Sequence, residues 1–269
     1  MAHPDAANLF SIFSFLYPHS GMEQIPMDHQ ATHPDPPAPP MLPWGWREVA
    51  WVLAFTFLMA GGLGVGLSLL SRVFDLDLTG GFVSPTIYVT GMAIYLSGVL
   101  AIYVFAARRS GWAALGCKPA PFFDYLLVPP LFLLEITALI GVNLLVGRLA
   151  GGFENPQVDA ISGGQALGNV ELVMLFLLIA ILVPFVEELF FRGMLYPLLR
   201  QRMGAVLAIT LNAAIFALFH VIPILLPGLF VVGLFLAYLR ERSGSIWPSV
   251  LLHAMQNGMA LLAMSASLR

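Results

Sequence analysis

Glu187, Glu188 and Arg192 stand within six residues of one another in VEELFFRG, Val186 to Gly193, a stretch of a chain otherwise nearly free of charge. One charged side chain at the centre of a membrane helix costs about 2.5 to 3.5 kcal/mol, so three left unpaired would cost about 8 to 10. Further along, His220 closes the run FALFH, and His253 and Asn257 open and close HAMQN. Residues four apart on a helix share a face, so Glu188 is expected to pair with Arg192, Phe216 to align with His220, and His253 with Asn257. Adjacent Glu187 and Glu188 diverge by about 100 degrees, which frees the two carboxylates for different work.

These residue types point to one kind of chemistry. A glutamate withdrawn from water suits a general base, and an imidazole beside it shares the proton or helps hold the water. A second histidine and an asparagine amide supply hydrogen-bond donors for an oxyanion developing on an attacked carbonyl. Together they are equipment for hydrolysing an amide bond. Glu187, His220 and His253 would alternatively serve as ligands of a divalent metal such as zinc, which would then activate the water. Glu188 and Arg192 fit either a structural pair or a substrate-orienting one. Taken singly, His220 or His253 would read as a packing histidine; their joint occurrence with the glutamates favours a site. Glu135 and Asn143 are further polar groups in an apolar run and read as structural hydrogen-bonding residues. Cys117, the one cysteine, excludes an intrachain disulfide and reads as small apolar packing.

The elements that must position these groups follow from composition. With 59% hydrophobic and 10% charged residues among 269, and a mean hydropathy of +0.86, the chain is too apolar for a water-soluble globule. A net charge of −3 with scattered Lys and Arg offers no basic stripe, so nucleic-acid binding is excluded. Apolar runs at about 47–71, 84–107, 123–147, 170–199, 204–221, 224–240 and 246–266 predict an all-α, polytopic transmembrane bundle of about seven spans, within a range of six to eight. Residues 1–43 hold nine of the twenty prolines and four of the six histidines, and read as a disordered tail preceding a membrane domain at 44–269. Four glycines in the first span, Gly61, Gly62, Gly64 and Gly66, predict close helix packing. Pro184, just before the glutamates, is expected to loosen its helix and free backbone groups.

Alternating loops place nine Lys and Arg on one side and three on the other, which puts the amino terminus in the cytoplasm. At about 1.5 Å per residue, Glu187 lies roughly 20 Å, His220 roughly 24 Å and Asn257 roughly 22 Å from the cytoplasmic edge. Three helices thus carry their polar groups to a similar depth.

EELFFR reads as EExxxR, FALFH as FxxxH and HAMQN as HxxxN, in that order on successive helices within 170–260. This combination resembles the CAAX protease and bacteriocin-processing family of intramembrane proteases. The resemblance implies that Glu187 and His220 activate the water, that His253 and Asn257 stabilise the oxyanion, and that Glu188, Arg192 and Phe216 support the site. It implies an endopeptidase acting on a membrane-anchored or lipidated protein, CAAX-like or bearing a carboxy-terminal tail. The family is described both as glutamate-dependent and as metal-dependent, so the cofactor is either none or a divalent metal. The expected location is a bacterial inner membrane, with the lipid bilayer and the substrate as partners. An ion-coupled transporter or proton relay is the competing reading of intramembrane Glu, His and Arg, and a non-proteolytic immunity or binding member of the same family is another.

Overall fold

The computed structural model describes residues 42–75, 81–153 and 155–268, and every regular element among them is helical. The tail expected at 1–43 falls, but for its last two residues, outside the described residues. Eight helices carry the fold: α1 (Trp46–Phe74), α2 (Pro85–Ser110), α3 (Phe122–Ala150), α4 (Gln157–Ser162), α5 (Asn169–Arg200), α6 (Ala205–Phe219), α7 (Pro223–Ser243) and α8 (Trp247–Ser267). The seven apolar runs all become helices within a few residues of their expected bounds. Five of them, α1, α2, α3, α5 and α7, are long and apolar enough to cross a membrane. The chain forms a polytopic helical bundle, an integral membrane protein by length and composition. α6 has only 15 residues, about 22 Å of rise. α8 is long enough but carries His253, Gln256, Asn257 and three serines.

The sequence reading missed α4, because six residues are too few to show a period. Local chemistry makes it: the Gln157 N–H donates to Asn155 Oδ1 at 3.0 Å, and Gly163 ends the helix in the left-handed region at φ 63°. At α1 the expectation fails in the other direction. A Cβ built on Gly61, Gly62, Gly64 or Gly66 would meet nothing within 4 Å, so these glycines pack against no described part of the chain. Close approaches occur elsewhere. A Cβ on Gly233 of α7 would lie 2.8 Å from Ala213 Cα of α6, and one on Gly98 of α2 would lie 3.3 Å from Val186 Cγ1 of α5.

α5 is the central element, with every residue from Leu189 to Leu195 buried. It winds loosely over Phe176–Leu182 and Leu189–Leu195, where hydrogen bonds run from i to i+5. Pro184 explains part of this: its nitrogen has no proton to give, so the carbonyl of Ile179, five residues back, needs another donor. Phe216 of α6, Leu236 of α7, Ile246 just before α8 and Leu252 of α8 join Leu189 and Met194 in the main apolar core. Outside the spans, burial pushes the Cys117 thiol from its ordinary 9.0 up to about 11, with Arg240 pulling weakly the other way. A thiol so placed is poorly ionised at neutral pH and acts as packing.

Candidate active site

Glu188 and Arg192 pair as their spacing requires. Arg192 Nη1 donates to Glu188 Oε1 at 2.9 Å, and neither side chain has any solvent exposure. The guanidinium is held on two more sides: Nη2 donates to the Gly233 carbonyl at 3.2 Å, and Cζ stands 4.5 Å from the centre of the Phe216 ring. That stacking adds cation–π attraction in a site from which water is excluded. Arg240 of α7 donates through Nε to the Arg192 carbonyl at 2.9 Å, and the buried Asn212 of α6 donates to the Phe191 carbonyl at 2.9 Å. Two helices, α6 and α7, therefore fix the segment that bears the two glutamates.

His253 lies between those glutamates. Its Nδ1 is 3.1 Å from Glu188 Oε1 and its Nε2 is 3.8 Å from Glu187 Oε2. Because Glu188 Oε1 already accepts from Arg192, Nδ1 is the donor in this contact, and Nε2 is the nitrogen left to face Glu187. Glu187 itself keeps 18% of its side-chain surface open, and its Oε2 has no hydrogen-bond partner. The two adjacent carboxylates do face different surroundings, one enclosed and one open to a cavity.

His220 ends α6 and lines the same cavity as Glu187. Among the described residues it forms no ion pair within 4.0 Å. Its Nδ1 donates to the Phe216 carbonyl of its own helix at 2.9 Å, which leaves Nε2 with a free lone pair. The next residue, Val221, has φ 51°, a conformation that a β-branched residue rarely adopts, so α6 stops at His220. The Phe216 ring stands 4.9 Å from the His220 ring and 5.7 Å from the His253 ring, both edge-on, and so packs against both imidazoles. Asn257 supplies the donor that Pro184 withholds: its Nδ2 donates to the Ile179 carbonyl at 2.9 Å.

Glu187, His220, His253 and Asn257 all line one cavity of about 770 Å³. The other walls include Tyr95 of α2, Leu139 and Asn143 of α3, and Val158 and Ile161 of α4. The polar loop at 150–169 is thus part of the chamber. Asn212 and Gln256, unremarked in the sequence reading, stand in apolar runs where their polarity alone was a signal. Tyr95 and Arg240 gave none, since a tyrosine or a terminal arginine is ordinary in a spanning helix.

Among the described residues no three His, Cys, Asp or Glu side chains are placed to hold a metal ion. Glu187, His220 and His253 form no such group, although all three line the same cavity. The alternative ligand set does not fit this arrangement.

A helical membrane bundle enclosing carboxylates and imidazoles around one chamber defines a class of intramembrane site. The family model described as Type II CAAX prenyl endopeptidase Rce1-like matches residues 169–259, from the start of α5 into α8, and so takes in all three motifs. Over these residues the chain is similar to the CAAX prenyl endopeptidase family. Neither a curated protein nor a solved structure matches the chain.

Proposed function

We propose that this protein hydrolyses a peptide bond in a membrane-anchored or lipidated substrate, with Glu187 and His220 activating the water and His253 and Asn257 holding the oxyanion. The protease domain is assigned to residues 44–269, with the amino terminus on the cytoplasmic side. One observation carries the reading: groups from α5, α6 and α8 that suit this chemistry line a single cavity deep in an apolar bundle.

The steps follow from the donors and acceptors. A water between Glu187 and His220 gives up a proton to the carboxylate or to His220 Nε2 as its oxygen attacks the carbonyl carbon. Negative charge moves onto the carbonyl oxygen. His253 Nε2, when it carries a proton, and the second N–H of Asn257 Nδ2 are the donors available to that oxygen. Glu188 orients the ring through Nδ1, and Arg192 balances the charge of Glu188 in the absence of water. The abstracted proton then passes to the amine nitrogen as the carbon–nitrogen bond breaks.

Purified protein should cleave a membrane-tethered peptide from a panel of prenylated CAAX peptides and carboxy-terminal tails. Glu187→Gln, which keeps the shape but not the base, should lower kcat by at least about 100-fold. Undiminished cleavage by that variant would sink the mechanism. Because this scheme puts no metal ion on the water, a chelator should leave the rate unchanged; loss of activity restored by zinc would overturn it.

A further inference from the structure

Tyr95 lies on α2, outside the segment that matches the family model. It reaches the site through a close helix crossing. At Gly98, one turn away, the absent side chain lets α2 approach Val186 of α5, the residue before Glu187. Tyr95 is half-buried, lines the same cavity as the four proposed catalytic residues, and lies within electrostatic reach of Glu187. Its hydroxyl forms no hydrogen bond with a described residue and its ring stacks on no other. Tyr95 therefore lines the cavity with a phenolic O–H that is committed to no described residue.

The other donors at the site are partly committed. His253 commits Nδ1 to Glu188, and Asn257 commits one N–H to the Ile179 carbonyl. Asn257 keeps its second N–H for a developing oxyanion, and His253 offers one at Nε2 only when the ring carries both protons.

We propose that Tyr95 is a further catalytic residue, donating a hydrogen bond from its hydroxyl to the carbonyl oxygen of the scissile peptide. The bond strengthens as charge builds on that oxygen and weakens when the carbon–nitrogen bond breaks. No proton is transferred: the phenol keeps its hydrogen throughout. The proposal rests on the protease reading above, and it gives the amino-terminal helices, which carry none of the three motifs, a part in the chemistry.

The test compares the full-length wild type, Tyr95→Phe and Glu187→Gln in detergent micelles. Each is given the same cleaved peptide, and binding is measured for an analogue of it with a phosphonamidate at the scissile bond. Loss of one oxyanion donor costs about 100-fold in kcat, so Tyr95→Phe should show a fall of that order with KM within about twofold. It should bind the tetrahedral analogue more weakly by the same factor and unfold at the wild-type temperature. Unchanged kcat, unchanged affinity for the analogue, or a rise in KM alone overturns the proposal, as does a fall in kcat matched by a lowered unfolding temperature. The two readings separate cleanly. Cleavage by Glu187→Gln or none by the wild type defeats the protease reading and this one with it, whereas full activity of Tyr95→Phe beside an inactive Glu187→Gln defeats this one alone.

Discussion

Glu135 is the residue whose surroundings least match its chemistry. It is fully buried in α3, and neither carboxylate oxygen has a hydrogen-bond partner among the described residues. Glu188 and Arg192 act on it electrostatically, but Arg192 directs Nη1 and Nη2 to other acceptors. A buried polar group without its hydrogen bonds costs about 1 to 3 kcal/mol. Glu135→Leu, of similar volume and able to pack with Leu139 one turn on, should therefore raise stability by about that amount. Thermal unfolding in detergent measures it. A lowered midpoint would mean that the carboxyl holds Arg192 in place, and the residue would then belong to the machinery of the site. At this scale, contacts within one helix were legible in the sequence: the Glu188–Arg192 pair and the alignment of Phe216 with His220 both follow from spacing alone. Contacts between helices were not: His253 of α8 is the ion-pair neighbour of Glu187, and spacing within one helix is silent about which ring of another helix comes near.

Helix crossings explain what the periodicity left open. Glycine counts predicted close packing in α1, where four glycines face open space, while the decisive glycines sit singly in α2 and α7. Whether a glycine packs depends on what lies opposite, and that is a property of two helices. Gly233 faces Ala213 at a distance that leaves no room for a methyl group, and its carbonyl accepts from Arg192. Gly233→Ala should push α7 from α6, cost about 1 to 3 kcal/mol and loosen the guanidinium, with a matching loss of cleavage. Gly62→Ala meets nothing and replaces the poorer helix former, so it should be neutral or stabilise by at most about 1 kcal/mol. Paired unfolding midpoints decide the point, and equal effects at the two positions would contradict the crossing described here. The loosened turns of α5 were legible in kind, because Pro184 must free a carbonyl. That Asn257 would be the group to satisfy it was not.

For the molecule as a whole, the question is where the self-sufficient unit begins. Among the described residues its first anchor is Trp44, 3% exposed, whose Nε1–H donates to the Met194 carbonyl at 3.0 Å and so ties the entry of α1 to the centre of α5. The start of α1 is capped by its own residues, since the Gly45 N–H donates to Glu48 Oε2 at 2.8 Å. The sequence of residues 1–41, rich in proline and poor in apolar runs, could add little to an apolar core. A chain starting at residue 42 should then keep the unfolding midpoint and cleavage rate of the full protein. Trp44→Ala in the full-length chain should instead cost about 3 to 5 kcal/mol, because it empties a buried indole site and leaves the Met194 carbonyl without its donor. The comparison needs both proteins in the same detergent with the same peptide. A truncated chain that melts early, beside a Trp44→Ala protein of normal stability, would move the boundary of the domain into the tail.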